Sequence, residues 1–351
     1  MAESISQTET PTAVTTVGLS TVAEHEPIVL TREIESAFGI VRVHVQGELN
    51  AKSGMKAVFL TVHDIGANHC SWREFVSSDS MTEIRNRSLF LHLDVVGQHD
   101  GADDVPDDAF PTIQQMGEQV IPQVLDALDV PLVVGVGEGA GANMLARFGL
   151  AHPQRVLGLV LVHLVSSEVG FLETLKDRLF GRRNSQQMSS LDIVALHKIG
   201  RQTDDESARR LLESYGKRVQ TLNARNLQKY VKTYMNRKEI LDLRDLDVLL
   251  VTGARSPYCA GVEAIHAKCN KTKTSLLKVD DAVDVLSEFP EKLAQNLLLF
   301  VKGLGFLTSC PAMADRSDAT TLKTLGSIGR RRTLSMEEYD IPRIRRLSLT
   351  K

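Results

Sequence analysis

The sequence predicts an α/β fold with a mostly parallel central sheet, helices on both faces and an inserted helical cap. Three observations carry that expectation. Short, nearly continuous apolar runs recur at residues 57–62, 88–96, 132–137, 156–164, 248–253 and 275–279. Strands covered on both faces need such continuity, whereas a strand with one wet face alternates. Stretches with helical spacing, at 113–128 and 140–151, lie between them, which is the alternation of right-handed strand–helix–strand units. Finally, glycines cluster where the run at 132–137 meets the helix that follows it.

Taken in order, residues 1–27 form a Ser/Thr-rich lead with little apolar patterning, expected to be flexible. At 38–47 the segment FGIVRVHVQG alternates, with Val41, Val43 and Val45 on one face, and predicts a half-exposed strand. The strand–helix alternation stops between about 166 and 246. There Leu175, Leu179, Leu211, Leu212, Tyr215, Val219, Tyr230 and Tyr234 make apolar stripes at spacings of three and four. A helical cap inserted in one domain fits this better than a second domain, because the strand pattern resumes afterwards. Pro290 opens a last helix lined by Leu293, Leu297, Phe300, Val301 and Leu304, and Gly303 and Gly305 end it. The predicted organisation is a lead (1–27), one domain (28–306) and a flexible basic tail (307–351).

Composition narrows the function classes. Of 351 residues, 42% are hydrophobic and 24% charged, ordinary globular usage that excludes collagen-like and disordered chains. With 41 basic against 44 acidic residues the net charge is -3, so no global field draws the chain to nucleic acid, and no specific nucleic-acid binding is expected. Cys70, Cys259, Cys269 and Cys310 form no CxxC pair and have no histidine at ligand spacing. Neither a zinc nor a redox motif is supported, and thiols scattered this way fit a reducing compartment. No Lys or Arg precedes Arg32, which argues against a secretory or transit peptide, and no apolar run reaches the roughly 18 residues of a membrane span. The expectation is a cytoplasmic protein with no cofactor.

The most informative segment is LVVGVGEGAGAN, 132–143. An apolar strand runs into glycines and then a helix, as in the nucleophile elbow, where G-x-S-x-G lifts a serine oxygen above the sheet. In the frame 135–139 the central residue is Gly137; shifted by two residues, it is Gly139. Neither frame holds a nucleophile, and Gly137 is taken as the vacant position. A serine on this turn is strained by about 1–3 kcal/mol, a cost glycine avoids. A phosphate-binding loop is disfavoured, since no Lys-Ser/Thr follows and the glycines are not on the first strand. Chain order places an acid after 248–253 and a histidine after 275–279. Those loops hold Ser256 and Val283, and the last histidine of the chain, His266, precedes the second loop. All three triad members are thus absent.

Remaining polar residues near the strand ends admit other chemistry. His63 and Asp64 follow a buried strand where hydrolases keep an oxyanion loop, and a loop-shaping hydrogen-bond network is the favoured reading of them. A metal set of His63, Asp64, Asp94 and His99 has suitable ligand types but no tight motif, so no metal is predicted. Glu138 could serve as a carboxylate nucleophile, although charge at a helix N-terminus explains it more simply. With His63 and Asp64 it defines a vestigial pocket. His152 and His163 need no special role, and Trp72 is expected to pack under the loop after His63.

Together these strings resemble the N-myc downstream-regulated (NDRG) family, non-catalytic relatives of the α/β-hydrolases. The matches are His63-Asp64-Ile65-Gly66 with Asn68, Gly97-Gln98 with Gly101-Ala102, Gly135-Val136-Gly137 with Gly139-Ala140-Gly141, and Arg147-Phe148 with His152-Pro153. Asn226-Leu227 with Tyr234 and Arg237, Ser256-Pro257 and Cys269-Asn270 continue them, over about 28–305. His163, Asp247 and Val283 depart from the usual Asn, Pro and Gly, and none restores a triad. The resemblance implies an α/β-hydrolase-like fold and a cytoplasmic phosphoprotein tied to stress response, differentiation, growth control and vesicle traffic. The family's tandem tail repeats are missing.

The tail carries its own signal. Residues 316–351 hold nine Lys/Arg and four Asp/Glu, +5 by count, leaving -8 for the remainder of the chain. Ser335 has Arg330 and Arg332 at five and three residues before it, with Thr333 between, and Ser348 has Arg343 and Arg345 at the same offsets. Acidic grooves of basophilic Ser/Thr kinases read arginine this way through charge-assisted hydrogen bonds. Each phosphate adds roughly -1.5 to -2 charge. Peripheral contact with anionic membranes is a second use for such a tail. The function expected is thus a catalytically inactive binding or adaptor protein under kinase control, with protein partners unnamed. The rivals are a hydrolase using Glu138 or His63 with Asp64, and a lipid or small-ligand carrier.

Overall fold

In the computed structural model the described residues are 14–19, 29–47, 57–166, 189–200, 206–240, 243 and 245–307. Nine strands form one sheet, in the order β1-β2-β3-β5-β4-β6-β7-β8-β9. They are β1 (Val14–Leu19), β2 (Val29–Ser36), β3 (Gly39–Gln46), β4 (Ala57–Val62), β5 (Ser88–Leu93), β6 (Val133–Glu138), β7 (Val156–Val162), β8 (Val248–Gly253) and β9 (Thr274–Val279). From β5 to β9 every pairing is parallel, while β1, β2 and β3 add antiparallel.

The helices are α1 (His69–Ser77), α2 (Thr82–Arg85), α3 (Ile113–Gln115), α4 (Ile121–Ala127), α5 (Ala140–Ala151), α6 (Ser190–Ile199), α7 (Glu206–Val219), α8 (Ala224–Met235), α9 (Cys259–Lys268), α10 (Val285–Glu288) and α11 (Pro290–Gly303). A π-helical turn, Met116–Val120, joins α3 to α4. Between β7 and β8 the described residues form α6, α7 and α8. A capping box of Ser189 with Asp192 starts α6, and Asn223 caps α8 through the backbone N–H groups of Arg225 and Asn226.

The continuous apolar strands arise because successive residues face two cores. On β7, Leu159 and Leu161 enter one cluster, and Val160 and Val162 the other; on β8, Val248 and Leu250 split in the same way from Leu249 and Val251. The edge strand β9 is covered less well: Leu276 and Leu277 are half-buried and Ser275 and Lys278 exposed.

Two expectations need correction. The lead 1–27 contains β1, whose β-branched Val-Thr-Thr-Val favours a strand and pairs with β2. The strand around 38–47 is not half-exposed along its length: His44 and Gln46, opposite the valine face, are also buried. The predicted stripe residues Leu175 and Leu179 and the tail from 308 on, with Thr333, Ser335 and Ser348, lie outside the described residues.

Candidate functional site: a charged plug at the strand switch

The chain runs from β4 to β5 on one side, then returns to place β6 on the other side of β4. Beyond the carboxyl ends of the strands flanking such a reversal lies the usual ligand crevice of an α/β sheet. His63 and Asp64 follow β4 there, and Glu138 and Gly139 end β6.

Gly139 has φ 52° and ψ -110° and leads directly into α5. It, and not Gly137, is the turn residue: Gly137 lies within β6 without a positive φ. The sequence could not separate the frames, because glycine occupies every second position from 135 to 141. The space above the turn is already filled. A Cβ on Gly139 would stand 2.2 Å from Asp64 Oδ1. That oxygen also accepts the Ala140 N–H at 2.8 Å. In a working elbow the N–H after the nucleophile helps form the oxyanion hole. The Asp64 carboxylate therefore occupies both the nucleophile's seat and one oxyanion donor.

Cap helix α6 closes the arrangement. Lys198 Nζ lies 2.8 Å from Asp64 Oδ2 and also bonds Glu138 Oε1. His197 Nε2 is 2.9 Å from Asp64 Oδ2, and its Nδ1 is 2.7 Å from the Tyr258 hydroxyl. Tyr215 donates to Asp284 Oδ2. Asp64, Glu138, His197, Lys198 and Asp284 are all buried. Burial alone would raise Asp64, but His197 and Lys198 hold it well below the usual carboxylate range. Burial pushes Glu138 up to about 8 despite Lys198, so it is the carboxyl of the group that keeps a proton near neutrality. Lys198 remains a firm cation, since the acidic groups around it, Asp64 foremost, outweigh its desolvation. Burial lowers His163, at the end of β7, to about 4.

The structure brings His63, Asp64 and Glu138 to one place, though not as a reactive set. His63 Nδ1 lies 2.8 Å from Asp64 O and Nε2 accepts the Val95 N–H at 3.0 Å, so both ring nitrogens are spent shaping the loop. Trp72 packs beneath it and donates to Val62 O at 3.0 Å. Ser256, after β8, is buried and its Oγ accepts the Tyr258 N–H at 3.3 Å. Val283 packs with Ile199, Ala208 and Leu211; the residue of that loop facing the charges is Asp284. The metal set of His63, Asp64, Asp94 and His99 is not assembled, because His63 is fully engaged and Asp64 belongs to the plug. Sequence reasoning missed His197, Lys198, Tyr258 and Asp284, and placed Tyr215 in an apolar stripe without a polar role. Their one visible trace is the polar His197-Lys198 pair inside an apolar helical run.

A cavity of about 300 Å³ reaches this plug past Tyr215 and Arg218, with Glu138, Lys198 and Asp284 at its floor. A larger groove, about 980 Å³, lies between α8 and the α3–α4 segment and contains none of the predicted site residues. No helix among the described residues is long and apolar enough to cross a membrane.

Comparisons with solved structures place the fold. A hydrolase from Pseudomonas aeruginosa PA01 aligns with a TM-score of 0.57 at 18% identity, over 77% of this chain and 98% of that one. A thermophilic esterase from Thermogutta terrifontis gives 0.58 at 15%, over 78% and 98%. At such identity they show an α/β-hydrolase fold and nothing more. Among curated relatives, an uncharacterized protein of Caenorhabditis elegans is 37% identical over 89% of this chain and 92% of its own length. Protein NDRG1 of Xenopus tropicalis is 33% identical over 82% and 74%, and protein NDRG2 of Danio rerio 30% over 86% and 83%. The family model described as Ndr family matches residues 31–308. With that span, those relatives and its glycine elbow, the chain belongs to the Ndr family.

Proposed function

We propose that this protein is a non-catalytic binding or adaptor protein on an α/β-hydrolase scaffold, controlled by phosphorylation of its basic tail and working in the cytoplasm. One observation carries the first half: the Asp64 carboxylate fills the seat above Gly139 and takes the Ala140 N–H. A substrate carbonyl would have to displace a buried anion bonded to Lys198 and His197. The rival hydrolase readings lose support for the same reason, since Glu138, His63 and Asp64 each already hold fixed partners. Turnover of p-nitrophenyl esters by the purified chain is expected to match a heat-inactivated control; a rate clearly above it counts against inertness.

The regulatory half rests on the paired arginine offsets before Ser335 and Ser348. A basophilic kinase is expected to label both, with Thr333 a lesser site, as read by mass spectrometry of the treated protein. Label found only elsewhere refutes this. Two phosphates, at roughly -1.5 to -2 each, would cancel much of the tail's positive charge and release it from anionic membranes or acidic partners. A second reading, small-ligand carriage, has the 300 Å³ cavity in its favour. Native mass spectrometry with no co-purified ligand would weaken it.

A further inference from the structure

A second histidine–carboxylate cluster stands outside the plug. His44 on β3, His69 at the start of α1 and Asp94 just beyond β5 converge, and their candidate ligand atoms all lie within 4.8 Å of one another. His44 Nε2 and His69 Nδ1 each approach the same oxygen, Asp94 Oδ2, at 2.9 Å. We propose that His44 Nε2, His69 Nδ1 and Asp94 Oδ2 bind one divalent transition-metal ion, zinc being the best match.

Three features support the assignment. Two imidazoles and a carboxylate are a borderline-soft donor set of the kind zinc and iron(II) take. Tetrahedral zinc with bonds of about 2.0 Å spaces its ligand atoms about 3.3 Å apart, so each nitrogen, now 2.9 Å from Asp94 Oδ2, has to draw back a few tenths of an ångström, and the His44 and His69 rings, stacked with centroids 3.4 Å apart, have to turn edge-on to the ion. The outer partners are also in place. Thr31 Oγ1 meets the far nitrogen of His44 at 3.0 Å, and Cys70 Sγ meets the far nitrogen of His69 at 3.5 Å. Both can accept a ring N–H, which turns the lone pair of each imidazole toward the ion; such partners fix the tautomer in known sites. Asp94 Oδ1 is anchored separately by the His69 backbone N–H at 2.7 Å, and Asn68 caps the helix that carries His69.

Neighbouring histidines sort cleanly. His92 is spent on Thr61 and Gln46. His63 lies 4.0 Å from Asp94 Oδ1 but accepts the Val95 N–H. The side chains of His44 and His69 keep 10% and 11% of their surface exposed, enough for an ion to enter while Asp94 stays buried. Water, or His99 on the loop after Asp94, can complete the shell. This proposal is independent of the adaptor reading.

The full chain, stripped with a chelator, is to be titrated with zinc chloride against a chromogenic competitor. One equivalent is expected, and His44→Gln and His69→Gln should each weaken it at least tenfold, while His266→Gln leaves it unchanged. Copper(II) bound to the wild-type chain should show electron-paramagnetic coupling to two imidazole nitrogens, a readout that holds even if a variant fails to fold. No uptake, unchanged affinity in both variants, or a copper spectrum without imidazole coupling overturns the assignment.

Discussion

Two buried aspartates at the ends of neighbouring parallel strands have been put to opposite uses. Asp64 follows β4 and Asp94 follows β5, and both are held well below the usual carboxylate range although burial alone would raise them. The difference lies in the partners. Asp64 faces Lys198, a cation with no lone pair to offer, together with His197. Asp94 faces two imidazoles and a backbone N–H. The first set can only neutralise and fill space; the second can exchange its protons for an ion. A buried carboxylate in a crevice is therefore not diagnostic until the group opposite it is known.

Breaking the first cluster should cost most. Asp64→Asn removes the carboxylate that both Lys198 and His197 face, and losing one partner of a buried pair typically costs about 3–5 kcal/mol. Urea unfolding at pH 7 measures it. The folded pKa of Asp64 is depressed, so its stabilisation is present above the unfolded value and is lost as pH falls below it. The gap between wild type and variant should therefore begin to narrow below about pH 4 and go on narrowing as pH falls toward the depressed folded value. Next comes Gly139→Ala, which meets both the positive φ and the Asp64 oxygen; strain and overpacking are each worth about 1–3 kcal/mol. Pairing it with Asp64→Gly should recover the overpacking share, and additive losses would show that the two do not touch. In the second cluster, His69→Gln in metal-free protein should cost about 1.5–3 kcal/mol, because Asp94 keeps His44 and a backbone donor. A loss equal to that of Asp64→Asn would erase the contrast.

A slope, and not a single loss, sharpens the protonation assignment. Glu138 is raised to about 8, so the folded state binds a proton that the unfolded chain gives up above about 4.5. Stability from this group is accordingly fullest below that lower value and falls as pH rises toward 8, by at most about 1.4 kcal/mol per unit. Glu138→Gln should flatten that slope between pH 5 and 8 in thermal melts, and a slope unchanged by the substitution would assign the proton elsewhere.

How much of this was readable in advance follows from the range of each interaction. Strands β4 to β8 were legible because burial on both faces leaves a local apolar run, and α5 because its glycine entry is contiguous with it. The frame of the elbow was not, since Gly137 and Gly139 differ only in a backbone angle. Lys198 was invisible because its partners lie 60 residues away at Glu138 and 134 positions away at Asp64. Asp94 was singled out, but with the wrong histidines: sequence proximity to the strand ends suggested His63 and His99, whereas pairing of β3 with β5 delivers His44. The bonds of His63 span both ranges: Nδ1 bonds the adjacent Asp64 carbonyl, while Nε2 accepts the Val95 N–H from 32 residues on.

The mutual dependence of Gly139, Asp64 and Lys198 has a historical consequence. A codon change installing serine at the turn collides with an anion, deleting the anion takes the carboxylate partner from Lys198 and His197, and deleting Lys198 leaves Asp64 and Glu138 without their shared cation. Each single step toward a serine at this turn disturbs the charged cluster that fills it, so the glycine elbow is guarded by epistasis.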